Sequence, residues 1–171
     1  MHLRHTCTLL LLAGSLVTVR SQTPVDLANA RSLALVGKSS PAFTLPDFGQ
    51  KTFALADRRG QIVVLAFWAT WCPPCRSEMP TLAKLQRELA PQGVSLVPVA
   101  FDNPAKALDF LAKKKIDVWS LIDEDGKVAS LYGARALPRT FLIDRNGVVV
   151  RTWIVKVSES ELRSAIAAAQ R

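Results

Sequence analysis

Two stretches of the chain are apolar at almost every position. Ile62–Trp68 (Ile-Val-Val-Leu-Ala-Phe-Trp) and Val94–Ala100 (Val-Ser-Leu-Val-Pro-Val-Ala) are rich in β-forming residues, the pattern of strands buried on both faces. Between them, from Pro73 to about Ala90, the apolar positions Met79, Leu82, Leu85 and Leu89 recur at steps of three and four. That spacing predicts a helix. Strand, helix and strand of this kind form a βαβ unit, normally parallel and right-handed.

The flanking pattern is shorter in period. Residues 24–37 read as a short amphipathic helix or linker ending at Gly37. Residues 41–48 and 52–55 read as two short strands around the turn Asp47-Phe48-Gly49-Gln50, a hairpin. Residues 104–115 carry Ala107, Leu108, Phe110 and Leu111 at helical spacing. Residues 118–122 are strand-like, and residues 127–132 read as a short helix ended by Gly133. Residues 140–143 and 148–153 flank Asp144-Arg-Asn-Gly147, whose Asn-Gly step predicts an antiparallel hairpin. Residues 158–170 close the chain as a helix, with Ser158 at the N-cap and Glu161 three residues on, a capping box. The expected class is α/β, a central mixed sheet with flanking helices.

Composition narrows the class. The chain has 171 residues, 49% hydrophobic and 21% charged, the make-up of one globular domain. Disordered and collagen-like chains are excluded. No apolar run reaches the roughly 18–20 residues of a membrane span, which excludes a polytopic membrane protein. Three cysteines are too few for a disulfide-stapled scaffold.

Residues 1–21 differ from the rest. Arg4 precedes a short apolar run from Cys7 to Val19, and small residues follow, the order of a secretory leader. Val19 and Ser21 take the −3 and −1 positions of a cleavage site before Gln22. The alternative is an uncleaved anchor, although the run spans only about 20 Å as a helix, against a bilayer core of roughly 30 Å. Cleavage removes Arg4 and Arg20 and no acid, lowering the formal charge from +8 to +6. It also removes His2, His5 and Cys7. The mature chain then has no histidine and two cysteines, which leaves no Ser-His, Cys-His or His-ligated metal chemistry. The expected organisation is a leader over 1–21, a linker or short helix over 22–37, and one domain over 38–171. The excess of cations does not indicate nucleic acid. Its one dense run, Lys113-Lys114-Lys115, ends a predicted helix, where cations are favoured anyway. Zinc-finger spacing and aromatic-basic strands are absent.

The chemistry sits in Trp71-Cys72-Pro73-Pro74-Cys75, between the first buried strand and its helix. Two cysteines three apart at a helix N-terminus can close a disulfide across the first turn. The first sulfur faces unpaired N–H groups and the positive end of the helix dipole, which favour the nucleophilic thiolate. Pro73 takes the first helical position, where its missing N–H costs nothing. Cys72, exposed at the turn, would exchange with a partner's disulfide or thiolate, and Cys75, one turn in and more buried, would resolve the mixed disulfide. Two other readings stand beside redox exchange. One is half of a zinc site, which lacks a second pair of ligands. The other is a purely structural disulfide, whose small ring would remove little unfolded-state entropy. Glu78 lies about one helical turn past Cys75. It is either a proton partner for the Cys75 thiol, with a pKa raised by desolvation, or a solvated acid favoured early in a helix.

Residues 67–80, Phe-Trp-Ala-Thr-Trp-Cys-Pro-Pro-Cys-Arg-Ser-Glu-Met-Pro, resemble the active-site segment of the TlpA/ResA-like branch of thioredoxin-fold proteins, bacterial extracytoplasmic thiol-disulfide oxidoreductases. The resemblance spans about residues 38–170. It includes the N-terminal hairpin and a helix-strand-helix insertion over 104–132. It implies that Pro138, in Leu137-Pro138-Arg139-Thr140, is the cis-proline facing the disulfide; cis Xaa-Pro bonds are only about 5–6% of the total, and the alternative reading is a trans turn proline. The resemblance further implies that Leu137 lies in the substrate groove, where backbone beside the proline pairs with an extended segment. It assigns Glu78 to the position of a family glutamate and Pro80 to the kink of the active-site helix. Trp71, Pro73 and Pro74 would shape the contact surface, with Trp68 in the core. Where plain thioredoxins carry a buried aspartate, six residues before Cys72, this chain has Ala66, which leaves Glu78 and water to move protons.

The resemblance implies a periplasmic dithiol reductant. It would draw electrons from a membrane thiol donor and reduce disulfides in exported proteins, in cytochrome c maturation or copper-site assembly. The alternatives are a disulfide-forming oxidant and, outside enzymes, a Cu(I)-binding chaperone of the same fold. A peroxidase reading is discounted, because the residues it requires are replaced by Ala69 and Leu65. The expected cofactor is none beyond the redox-active Cys72–Cys75 disulfide, with no metal and no nucleic acid. The chain is expected to be a monomer that touches a membrane only through an uncleaved N-terminus.

Overall fold

The computed structural model describes residues 22–171, so the expected leader and its cleavage site lie outside the described residues. Helix α1 (Pro24–Leu33) precedes a hairpin of β1 (Thr44–Pro46) and β2 (Thr52–Ala54). Asp47 closes that hairpin, its Oδ1 accepting from the backbone N–H groups of Gly49 and Lys51. The central unit follows as β3 (Ile62–Trp68), α2 (Pro73–Leu89) and β4 (Val94–Ala100), with β3 and β4 parallel as the apolar runs predict. Next come α3 (Pro104–Lys113), β5 (Leu121–Ile122), α4 (Lys127–Leu131), β6 (Arg139–Ile143), β7 (Val149–Trp153) and α5 (Glu159–Ala169). The five-stranded sheet has the order β5-β4-β3-β6-β7, with β6 antiparallel to β3 and β7 antiparallel to β6.

Strand β3 is buried at all seven positions, and the period-two alternation of a strand sends its residues into two cores. Ile62, Val64, Ala66 and Trp68 pack with Met79, Leu82 and Leu85 of α2 and with Leu162 and Ile166 of α5. Val63, Leu65 and Phe67 face the other way, toward Phe43, Phe53, Tyr132 and Phe141. Trp68 lies in the core as expected, its Nε1 donating to Ser120 Oγ at 3.1 Å.

Three expectations change in detail. The strand expected over 118–122 is reduced to Leu121–Ile122. Its neighbour Pro98 has no N–H to give to the ladder, and the Pro98 carbonyl instead accepts from Ser120 Oγ at 3.1 Å. Strands β1 and β2 are shorter than the runs 41–48 and 52–55 suggest: Asp47 starts the turn that ends β1, and Leu55 leaves β2 for a 3₁₀ turn over Leu55–Arg58. The α5 capping box forms by half. Ser158 Oγ accepts from Glu161 N–H at 3.2 Å, but the Glu161 carboxylate is taken by Trp153 Nε1 at 2.8 Å and Arg151 Nη2 at 2.9 Å. A tertiary contact has displaced a local one.

The topology brings the motif residues to one edge of the sheet. Phe67 stands opposite Arg139 in the antiparallel β3–β6 register. The chain therefore leaves β3 toward Cys72 where it enters β6 from Pro138. The β7–α5 connection opens at the same end.

Candidate active site

Cys72 is the N-cap of α2 and forms a disulfide with Cys75, with the two Cα atoms 5.3 Å apart. The preceding turn is held from outside. Thr70 N–H and Thr70 Oγ1 both donate to Asp102 Oδ2, the former at 2.8 Å. Cys72 N–H donates to the Ala69 carbonyl at 3.2 Å. Asp102 thus ties the turn to the end of β4, a role that no motif or periodicity marks.

An N-cap side chain accepts from the N–H of the second or third helical residue. The second helical residue here is Pro74, which has no N–H, so only Cys75 N–H remains, 3.3 Å from Cys72 Sγ. The N-terminus of α2 therefore offers the sulfur one close donor where most residues at position 74 would allow two.

The expectation that Cys72 is exposed is corrected. It is 3% exposed and Cys75 1%, because the turn folds both sulfurs into the core beneath α2, with Leu137 packed against it. Exposure passes to their neighbours. Trp71 is 56% exposed, and Pro73 and Pro74 are also exposed. Trp71 stands edge-on to Phe101, ring centroids 6.2 Å apart, and Arg135 lies over the other ring at 5.5 Å from the Phe101 centroid. Phe101 and Arg135 have no periodic or motif signal that would have selected them.

The Leu137–Pro138 peptide is cis. Leu137 is partly buried between the two cores. Its backbone N–H and carbonyl make no backbone hydrogen bond among the described residues, so the bend that leads into β6 leaves a short stretch of backbone unpaired.

Glu78 is 7% exposed, against the reading of a solvated acid. Its Oε1 accepts from Val157 N–H at 2.9 Å, tying α2 to the β7–α5 connection. Lys156 Nζ reinforces the tie by donating to Ser77 Oγ at 2.9 Å. Burial raises the Glu78 pKa above the ordinary carboxylate value; the Val157 N–H and the nearby Lys156 charge oppose that shift. The carboxylate lines a cleft of about 280 Å³ with Leu82, Leu85, Lys156, Val157 and Leu162, which gives it a path to water. Among the described residues no hydrogen bond joins Glu78 to Cys75 in this oxidised form.

Comparison with known proteins agrees with this geometry. The sequence pattern of the AhpC/TSA family matches residues 36–152. A thiol-disulfide oxidoreductase ResA from Geobacillus thermodenitrificans is 34% identical over 162 residues, covering 94% of this chain and 91% of the relative. The crystal structure of a thiol:disulfide interchange protein DsbE from Chlorobium tepidum superposes with a TM-score of 0.72 at 33% identity, covering 80% of this chain and 98% of that one. A secreted disulfide oxidoreductase from Mycobacterium tuberculosis, described as homologous to DsbE, gives 0.64 at 25% identity, covering 74% and 95%.

Proposed function

The chain belongs to the AhpC/TSA family and, with its ResA relatives, to the thioredoxin-fold thiol-disulfide oxidoreductases, and from that membership we propose that it acts outside the cytoplasm as a dithiol reductant of protein disulfides. The observation that carries the reading is the Cys72–Cys75 pair at the N-terminus of α2, at the sheet end where the unpaired backbone of Leu137 leads through Pro138 into β6.

Each sulfur takes a step. With both cysteines reduced, the Cys72 thiolate attacks one sulfur of the partner disulfide. That S–S bond breaks, the leaving sulfur takes a proton, and Cys72 is joined to the partner. Cys75 gives up its proton, with Glu78 as acceptor directly or through water in the cleft, and attacks Cys72 Sγ. The mixed disulfide breaks, the partner's second sulfur leaves as a thiolate and takes a proton from solvent to complete the dithiol, and Cys72–Cys75 closes. Two electrons pass to the partner, and a membrane thiol donor restores them. The extended partner segment pairs with the backbone at Leu137, the strand-addition mode of peptide recognition. Trp71, Pro73 and Pro74 form the surface it meets.

The secreted relative and the leader-like residues 1–21 support an extracytoplasmic setting. Exported proteins with paired cysteines, such as those of haem attachment or copper-site assembly, are the partner class. Incubation of the reduced protein with a disulfide-bonded peptide tests the activity. The peptide should be reduced stoichiometrically by the wild type and not by Cys72→Ser; equal reduction by both would end the assignment.

The donor count at Cys72 supports the reducing direction. A stabilised thiolate makes a dithiol a stronger oxidant, and Pro74 withholds one of the two N–H groups that would stabilise it. Pro74→Ala restores that donor. A hydrogen bond to a charged group contributes about 1.5 kcal/mol or more, so the Cys72 pKa should fall by about one unit and the potential should rise by about 30 mV. Thiol titration and redox equilibration measure the two; no change in either would remove the argument.

A further inference from the structure

Arg139 follows Pro138 and opens β6, and it is wholly buried, at 0% exposed. A buried guanidinium stays charged and is costly unless fully paired, yet no carboxylate pairs with it among the described residues. Its Nη2 donates to Asn29 Oδ1 at 2.7 Å and to the Ala136 carbonyl at 3.0 Å, while Nε and Nη1 have no partner among the described residues. An apolar side chain of similar volume would fill the space without that cost. What the arginine adds is the pair of groups it reaches, one on α1 and one in the segment that leads into cis-Pro138.

Helix α1 is seated on that segment by polar contacts. Its only buried residue is Ser32, whose Oγ donates to the Tyr132 carbonyl at 2.9 Å and to the Gly133 carbonyl at 3.0 Å. Val25, Leu27 and Leu33 remain exposed. The approach is backbone to backbone. A Cβ on Gly133, which has φ +64°, would lie 2.6 Å from the Ala28 carbonyl oxygen. Residues 132–136 are thus held between α1 and β6 by Ser32, Asn29 and Arg139, directly before the unpaired backbone of Leu137.

We infer that Arg139 is a positioning residue for extended substrates: by holding the Ala136 carbonyl against α1 it presents the Leu137–Pro138 edge in one conformation. The inference rests on the proposed pairing of substrate with that edge. It concerns substrate binding and leaves the thiol chemistry alone. A peptide disulfide, which needs the edge, should depend on Arg139. A small aromatic disulfide such as 5,5′-dithiobis(2-nitrobenzoate), which has no backbone to pair, should not.

The test compares both substrates in Arg139→Met, which keeps the volume and removes the charge, and in Asn29→Ala, which removes only the α1 acceptor. In Arg139→Met, KM for the peptide disulfide should rise about tenfold, the size of one charge-assisted hydrogen bond. Its kcat, the rate with the small disulfide and the reduction potential should be unchanged. Asn29→Ala should raise the peptide KM in the same sense by a smaller factor, and it carries the test if Arg139→Met does not fold. An unchanged peptide KM in a folded variant would overturn the inference, as would an equal slowing of both substrates. Failure of the functional reading would look different: the wild type itself would then leave the peptide disulfide unreduced.

Discussion

Replacing Cys75 with serine is expected to stop turnover and leave the protein covalently joined to its substrate. In the wild type the resolving sulfur is one helical turn from Cys72, with Cα atoms 5.3 Å apart, and attack on the mixed disulfide is intramolecular. Such an arrangement corresponds to effective concentrations of about 10⁵ M and above. Cys75→Ser leaves only thiols from solution for that step, so turnover with a peptide disulfide should fall on the order of 10³-fold or more. The fold should tolerate the change, because serine keeps the backbone N–H that Cys75 directs at Cys72. Non-reducing electrophoresis and mass spectrometry should show the peptide attached through Cys72. The double variant Cys72→Ser, Cys75→Ser should show no adduct. An adduct through Cys75 in Cys72→Ser, with none in Cys75→Ser, would reverse the two roles.

The second large effect is expected at Glu78. Glutamine keeps an oxygen for the Val157 N–H and removes the proton-accepting charge. General base catalysis contributes about 10²-fold at the low end of its range, so disulfide reduction near neutral pH should slow by about that factor in Glu78→Gln. The pH–rate profile carries the more specific sign. Burial is the main cause of the raised Glu78 pKa, so the wild-type rate should rise as pH passes through a value above the ordinary 4.5 of a glutamate. That inflection should be missing from the variant. Stability should move the opposite way. The folded protein holds the Glu78 proton at pH values where the unfolded chain has lost it. The resulting stabilisation is fully present below the unfolded pKa and is lost as pH rises through the folded one. Denaturation curves across that window should show the slope in the wild type and lose it in Glu78→Gln. A rate profile that keeps its inflection in the variant would return Glu78 to a structural tie between α2 and the β7–α5 connection.

What the sequence reveals here follows the physics of each element. Ile62–Trp68 and Val94–Ala100 are legible because a strand covered on both faces has no polar positions to confuse its period. The hairpin of β6 and β7 is legible because its turn chemistry is local. The cysteine pair announces itself by spacing and by the prolines at a helix start. Legibility fails where distant groups compete for local ones. Glu161 has the spacing of a capping box, and Trp153 and Arg151 claim its carboxylate. The burial of Cys72 depends on how the chain turns into α2 and on Leu137 from another part of the chain. Asp102 follows the buried strand β4, and Arg139 follows Pro138. Their work is done on residues 32 and 110 positions away, a distance that no periodicity or short motif encodes. Arg139 does leave a trace, as a lone cation before the apolar strand Thr-Phe-Leu-Ile. A charge at a core position requires partners, and the structure supplies one of them from α1.

The reduction potential of the Cys72–Cys75 couple, measured by equilibrating the protein in glutathione and dithiothreitol buffers, tests the central claim most directly. A dithiol reductant should equilibrate near or below about −200 mV, in keeping with the single N–H donor at Cys72 Sγ. A value near about −120 mV, the range of proteins that install disulfides, would contradict the reducing assignment and make the chain an oxidant of newly exported proteins.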